Sequence, residues 1–321
     1  MALTSLEICS GAGGQALGLE LAGFHQAALV EIDSAACATL RFNRPTWNVV
    51  EMDVSNFSGI PFRGTIDLLA GGVPCPPFSK AGKQLGASDE RDLFPEALRL
   101  VSEIRPKAVM LENVRGLLDP VFEVYRTALS AQFNKLGYET YWQLLHASDF
   151  GVAQLRPRVV LVAIDKNISR KFAWPSPKLL RAPSVGELLY DLMAVEGWKG
   201  ASAWKQSALR IAPTLVGGSK KHGGPDLGPT RARKAWAELG VDGIGIADLP
   251  PAKDHEGMPR LTVRMAARVQ GFPDSWHFVG KKTPAYRQVG NAFPPPVAAA
   301  VGRQIAKLLN SVSQAKALEA A

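Results

Sequence analysis

The chain has 321 residues, 46% of them hydrophobic and 21% charged, with a net charge of +8, the profile of a globular protein with room for one large domain and a smaller one. No apolar run approaches the roughly 20 residues that span a bilayer, and the opening Met1-Ala2-Leu3-Thr4-Ser5 lacks the basic flank and cleavage site of a secretory signal, so a cytoplasmic protein is expected. Cys9, Cys37 and Cys75 form no Cys-x-x-Cys pair and the five histidines lack ligand spacing, which argues against a disulfide framework and against a metal.

In chain order, strand-like segments at 5–9, 27–32, 66–70, 108–112, 139–145 and 159–164 alternate with helical stretches at 15–22, 34–43, 94–104 and 121–135. This predicts an α/β fold, a doubly wound and mostly parallel sheet with ligands at the carboxyl ends of its strands. The first strand runs into Cys9-Ser10-Gly11-Ala12-Gly13-Gly14, a turn in which glycine permits close approach of a ligand to the backbone. The second ends in Glu31-Ile32-Asp33, where a carboxylate could accept both hydroxyls of a ribose, and Asp53 stands where a third strand end could reach an adenine amino group. A nucleoside-containing cofactor fits all three, although a tight turn with solvated acids fits them too. The spacing is not the Gly-x-Gly-x-x-Gly of nicotinamide enzymes.

The next strand leads into Gly72-Val73-Pro74-Cys75-Pro76-Pro77. Three prolines make a rigid turn that holds one thiol at a strand end, an arrangement that suits a nucleophile better than a space-filling cysteine. Another strand ends in Glu112-Asn113-Val114, and a further strand is read as ending near Gln154-Leu155-Arg156-Pro157-Arg158. If these ends lie side by side, a thiol, a carboxyl and two guanidinium groups converge, a set suited to attack on an electron-poor ring. Ser79 to Arg91, with Gly82, Gly86, Lys80 and Lys83, reads as a mobile closing loop.

The character changes near Lys171. Residues 1–170 hold 16 Lys and Arg against 18 Asp and Glu, residues 171–257 hold 12 against 9, and residues 258–321 hold 9 against 2. A basic second half suits contact with a polyanion. Periodicity is poor over 172–258, with 199–228 and 240–258 read mostly as loops; helical pattern returns at 261–270 and 296–309, and the tail after Asn310 is expected to fray.

These stretches together resemble the carbon-5 cytosine-specific DNA methyltransferase family of the bacterial restriction–modification type. The glycine loop, Pro74-Cys75, Glu112-Asn113-Val114, Gln154-x-Arg156-x-Arg158, Arg260-Leu261-Thr262 with Gln270-Gly271-Phe272-Pro273, and Gln288-Val289-Gly290-Asn291-Ala292 follow the family's order. The resemblance implies the class I S-adenosylmethionine-dependent methyltransferase fold. It implies a catalytic domain at 1–171, a smaller irregular target-recognition domain at 172–258, and a return to the catalytic domain at 259–321. It implies DNA (cytosine-5-)-methyltransferase activity on a flipped-out base in a short site of double-stranded DNA, with S-adenosylmethionine as cofactor. Cys75, Glu112, Asn113, Arg156 and Arg158 would be catalytic. Ile8, Cys9, Ser10, Gly11, Gly13, Glu31, Ile32, Asp53, Val54 and Asn291 would hold the cofactor. Ser79, Lys80, Lys83, Lys220, Lys221, Arg231 and Arg233 are expected to meet DNA, with no metal, no membrane and a monomeric enzyme.

Cys9 departs from the family's usual Phe, Pro76 from its commoner Gln, and Met265 from a frequent Glu. The family's tRNA-modifying branch carries a Cys-Phe-Thr tripeptide that is missing from this sequence. A silent relative would tend to lose Cys75 or Glu112, and a nicotinamide oxidoreductase would leave Pro74-Cys75 unexplained.

Overall fold

The computed structural model describes residues 2–74, 92–177, 181–218 and 226–319, with side chains through residue 311. Strands β1 (Leu3–Ile8), β2 (Phe24–Glu31), β3 (Val49–Glu51), β4 (Leu68–Gly71), β5 (Ala108–Val114), β6 (Tyr138–His146) and β7 (Pro157–Asp165) form a sheet in the order β3-β2-β1-β4-β5-β7-β6. Neighbours pair in parallel as far as β5, while β7 is antiparallel to both β5 and β6. Chain order reverses between β1 and β4, and a crevice opens at the carboxyl ends of strands at such a switch point.

The strands are continuous apolar runs because both faces are covered. On one face Leu6, Ile8, Leu69 and Val109 pack against Phe94, Leu98 and Val101 of α3 (Phe94–Ile104) and Phe133 of α4 (Glu123–Lys135). On the other, Leu68, Ala70, Met110 and Val162 pack against Leu19 of α1 (Gly14–Leu21) and Val297, Val301 and Ile305 of α10 (Pro295–Glu319). Neighbouring residues go to opposite faces, as the two-residue period of a strand requires. Between β2 and β3, α2 (Ser34–Asn43) begins where Asp33 Oδ1 accepts from the N–H groups of Ala35 and Ala36 at 3.0 and 3.2 Å, a side-chain N-cap.

Beyond the sheet, α5 (Val185–Ala194), α6 (Ala201–Ser207), α7 (Thr230–Ala237), α8 (Val263–Val269) and α9 (Lys282–Asn291) share an apolar cluster centred on Trp204, Trp236, Leu261, Tyr286 and Val289. Helix α6 lies in a stretch expected to be loop; its length of seven residues is too short to show a period, and Trp204 anchors it by donating from Nε1 to Leu239 O at 3.0 Å. Helix α5 starts at a reciprocal cap, Ser184 Oγ to Glu187 N at 3.2 Å and Glu187 Oε2 to Ser184 N at 2.6 Å; its Ser-x-x-Glu signature stands in the sequence. The tail expected to fray after Asn310 continues α10 to Glu319.

Met265 is the third residue of α8, and its substitution for a glutamate keeps the same reciprocal cap. Thr262 Oγ1 accepts from Met265 N at 3.2 Å, and the thioether sulfur accepts from Thr262 N at 3.4 Å. Sulfur is a weaker acceptor than a carboxylate, but Met265 is fully buried and a neutral side chain avoids the desolvation of a charge.

Candidate active site

A cleft of about 1060 Å³ opens at the carboxyl ends of β1 to β5 and is closed on one side by α9. Its floor is the loop from β1 to α1. Glu31, at the end of β2, holds that loop: Oε2 accepts from Gly11 N at 2.7 Å, and Oε1 accepts from Ile32 N and Asp33 N at 3.0 and 2.8 Å. Gly14 lets α1 start against the chain entering α10, since a Cβ there would lie 2.2 Å from Phe293 O. Cys9 adopts φ of 51°, a left-handed conformation that costs a non-glycine residue about 1 kcal/mol. Burial pushes its thiol up to about 12, with Glu31, Asp53 and Glu7 adding to the shift, so Cys9 stays a neutral thiol.

Cys9, Ser10, Gly11, Glu31, Ile32, Asp53, Val54 and Asn291 all line the cleft. Ile32 is 64% exposed and offers a flat apolar surface at its mouth. Asp53 Oδ1 accepts from Ser55 N and Oγ at 2.9 and 2.8 Å, bonds that lower its pKa. Ile8 and Gly13 do not line the cleft: Ile8 is buried in the core, and Gly13 lies behind the loop against Leu40 and Trp276. Glu7 and Gln15 are among the cleft residues not singled out from the sequence. Both are buried, and Glu7 Oε2 and Gln15 Oε1 have no hydrogen-bond partner among the described residues. Burial, then Glu31, holds the Glu7 carboxyl well above the carboxylate range. An acid within the apolar run Leu6-Glu7-Ile8 of a doubly covered strand was the available signal.

At the other end of the cleft stand Glu112 and Arg158. In the antiparallel register Val114 faces Arg158 and Glu112 faces Val160, so Glu112 and Arg158 are diagonal neighbours on one face of the sheet. Arg158 Nε meets Glu112 Oε1 at 2.7 Å. Burial raises the Glu112 carboxyl despite the guanidinium groups of Arg158 and Arg156, and burial lowers Arg158 against the pull of Glu112. Burial thus weighs against the charged form on both sides of the ion pair. Asn113 Nδ2 donates to Val73 O at 2.8 Å, while its Oδ1 accepts from Val114 N at 2.8 Å. This fixes the Gly72-Val73-Pro74 run, which lines the same cleft and leads directly into Cys75. Cys75 itself, with Ser79, Lys80, Lys83, Lys220 and Lys221, lies outside the described residues.

The arginines do not end a strand. Arg156 precedes β7 and Arg158 is its second residue, and Arg158 reaches the cleft because β7 runs against β5. Arg156 is not in the cleft. It is 1% exposed, and its Nη1 donates to Leu215 O while Nη2 donates to Gly290 O and Ala292 O, each at 2.8 Å. Arg231 and Arg233 sit on α7, away from the cleft lining; Arg231 is exposed, and Arg233 Nη2 donates to Thr230 Oγ1 at 3.4 Å.

A carboxyl–guanidinium pair beside a strand end that delivers a cysteine, facing a ligand cleft at the switch point, matches a known family along almost the whole chain. The family model described as C-5 cytosine-specific DNA methylase covers residues 3–307. The chain belongs to that family. It is a DNA methyltransferase of the restriction–modification kind, and S-adenosylmethionine is the methyl donor the family uses. The chain is 60% identical to the Type II methyltransferase M.NgoMIV of Neisseria gonorrhoeae over 312 residues, covering 96% of this chain and 99% of that one. It is 56% identical to M.NaeI of Lentzea aerocolonigenes over 313 residues, covering 96% and 76%. A crystal structure of a Spodoptera frugiperda DNMT2 variant superposes with a TM-score of 0.66 over 97% of this chain and 99% of that one; at 17% identity it speaks for the fold. Among the described residues no helix is long and apolar enough to cross a membrane, and no group of three or more His, Cys, Asp or Glu could hold a metal.

Proposed function

We propose that this enzyme methylates carbon 5 of a cytosine flipped out of a short double-stranded DNA site, through a covalent adduct with Cys75. The observation that carries the reading is the Glu112–Arg158 pair at 2.7 Å, set in the cleft beside the run that ends in Pro74-Cys75.

The cofactor end of the cleft suits a cation. Glu31, Asp33 and Asp53 line it, and the protonatable Glu7 Oε2 and the amide Gln15 Oε1 are buried there without partners among the described residues. S-adenosylmethionine would supply an electrophilic methyl on a sulfonium, and its ammonium offers donors. Glu31 and Asp53 would take the ribose and adenine side, with Cys9, Ser10, Gly11, Ile32, Val54 and Asn291 completing the wall. Ile8 and Gly13 would act from behind, by holding the loop.

At the base end, the Cys75 thiolate forms a bond to carbon 6, and the electron pair of the 5,6 double bond moves to carbon 5. Glu112 donates a proton to the ring nitrogen beside the exocyclic amine, for which its raised pKa prepares it. Arg158 holds the base oxygen and Glu112, and Asn113 holds the turn that delivers Cys75. Carbon 5 takes the methyl as the methyl–sulfur bond breaks, leaving S-adenosylhomocysteine. A base, with solvent as the simplest choice, then removes the carbon-5 proton, the electrons of that bond restore the double bond and expel the thiolate, and the ring nitrogen returns its proton to Glu112.

Carbon 6 is not open to attack within a duplex, so the base must leave the stack. Residues 79–91, with Ser79, Lys80 and Lys83, would close over it. Residues 172–258 would carry recognition, with Lys220, Lys221, Arg231 and Arg233 meeting DNA. Residues 1–171 and 259–321 would form the catalytic domain of a monomer that works in the cytoplasm, bound to the nucleoid when on DNA.

The test is transfer of labelled methyl from S-adenosylmethionine to unmethylated genomic DNA by wild type and Cys75→Ala. Label recovered as 5-methylcytosine with wild type alone supports the reading, and sequencing gives the site. Label with both proteins removes Cys75 as nucleophile, and label with neither overturns the reading in favour of an RNA substrate or a silent binder.

A further inference from the structure

Arg156 spends its Nη donors on backbone, and its Nε, without a partner among the described residues, is buried away from the cleft. Its two Nη atoms are committed to three backbone carbonyls on two separate parts of the chain, Leu215 on one side and Gly290 and Ala292 on the other. The side chain is 1% exposed and absent from the cleft wall. What it clamps is a backbone crossing. A Cβ on Gly290 would fall 2.4 Å from both the Cα and the N of Gly217, and a Cβ on Gly217 would fall 2.5 Å from Asn291 Oδ1 and 2.6 Å from Arg287 O. Such contact is open only to glycine on both chains.

The neighbours of Arg156 reinforce the same crossing. Leu155 N donates to Ala212 O at 2.9 Å, and Leu215 N donates to Gln154 Oε1 at 2.8 Å. Gln154 Nε2 donates to Gln270 Oε1 at 2.6 Å, and Gln270 in turn donates to Ala292 O. Buried hydrogen-bond networks that join distant elements fix their relative placement, here with Arg156 Nε left without a partner among the described residues. The crossing also touches the cleft. Asn291 lines it and donates from Nδ2 to Gly218 O at 3.2 Å. One amide thus faces the cofactor cleft and holds the segment that leads towards the basic stretch at 220–221.

We propose that Arg156 is a positioning residue that locks segment 212–218 onto the end of α9, so that, through Asn291, filling the cofactor cleft tightens the grip on DNA. This rests on the function proposed above. Its observable is a coupling between two ligands, which by linkage must be mutual. Lysine cannot reproduce the clamp, because a single ammonium lacks the planar fork that reaches carbonyls on two elements at once.

The experiment measures the affinity of wild type, Arg156→Lys and Gly217→Ala for a duplex carrying the site mapped by sequencing, with and without S-adenosylhomocysteine. Wild type should bind the duplex about 5-fold to 100-fold tighter with S-adenosylhomocysteine, the usual span of such couplings, and both variants should fall to within about 2-fold of none. Gly217→Ala, at a position outside the cleft lining, should keep its kcat at saturating DNA near wild type. Coupling that survives in the folded variants, or is missing in wild type, overturns the proposal. So does Arg156→Lys losing kcat at saturating DNA with its coupling intact, the signature of a residue that touches the base. If the variants do not fold, amide hydrogen exchange on wild type decides. S-adenosylhomocysteine alone should slow exchange over 212–218 and 226–246, and slowing confined to 7–14, 31–36 and 51–54 would refute the relay. This arm needs no DNA, so its failure is distinct from failure of methyl transfer.

Discussion

Glu112→Gln tests the buried Glu112–Arg158 pair. The amide oxygen can still accept from Arg158 Nε, now 2.7 Å from Glu112 Oε1, so the pair is weakened rather than broken. A hydrogen bond to a charged group contributes about 1.5–3 kcal/mol and a neutral one about 1, so the variant should lose about 1–2 kcal/mol and remain folded. The amide cannot pass a proton to the ring, which should lower the rate of methyl transfer by about 10²–10⁴-fold. Affinity for S-adenosylhomocysteine should be unchanged, since Glu112 stands at the opposite end of the cleft from Glu31 and Asp53. The assay is single-turnover transfer of labelled methyl at saturating DNA, with urea unfolding alongside. The pH dependence carries a definite sign. Burial raises the Glu112 pKa above its ordinary value of 4.5, so folding favours the protonated form. Its stabilising contribution is complete below 4.5 and is lost as pH rises through the raised value. Activity that needs the proton falls over the same rise, and Glu112→Gln should lack that falling limb. A folded variant with a rate within about 10-fold of wild type would refute the role given to Glu112.

Three further outcomes follow from the site and its supports. Iodoacetamide near pH 8 should label Cys75 alone, because burial pushes Cys9 and Cys37 to about 12; mass spectrometry showing label in Cys75→Ala would contradict this. Gly14→Ala should unfold at a lower temperature by calorimetry, since the added methyl would sit 2.2 Å from Phe293 O, and overpacking of this kind costs about 1–3 kcal/mol or more. Arg231→Ala should reduce the dependence of DNA affinity on log salt by about 1 if α7 meets a phosphate; an unchanged slope removes it from the interface.

The parts of the fold that could be read in the sequence are those where local pattern and burial agree. Helices α2 and α3 fill the stretches their periodicity predicts, because each buries a single apolar face on the sheet. Part of the cleft wall was legible for the same reason: strand ends carry Glu31 and Asp53 next to obvious turns. The sequence could not show direction. Nothing within Pro157–Asp165 records that β7 runs against β5, and the two arginines were accordingly read as ending a strand rather than opening one. Arg156 and Arg158 are two residues apart, a spacing that puts both on one face of a regular strand. Arg156 precedes the strand and turns instead into a ring of carbonyls from residues 59 to 136 positions away. Those partners are set by packing between α9 and the 212–218 segment, which no local pattern encodes.

The antiparallel strand accounts for how one edge of the sheet serves two ligands. Had β7 run parallel to β5 over the same span, Arg158 would lie opposite Ala108, about 13 Å along the strand from Glu112 at roughly 3.3 Å per residue. Reversal places it diagonal to Glu112 without any long loop. The cleft is thereby divided by strand identity. The ends of β1, β2 and β3 supply carboxyls and suit a cation, while β5 and β7 supply the paired carboxyl and guanidinium suited to an amide-like ring edge. Between them, the end of β4 delivers Pro74-Cys75, held by Asn113 from its neighbour β5. Under the mechanism proposed above, the methyl donor and the acceptor ring would therefore meet beside the strand that leads into Cys75.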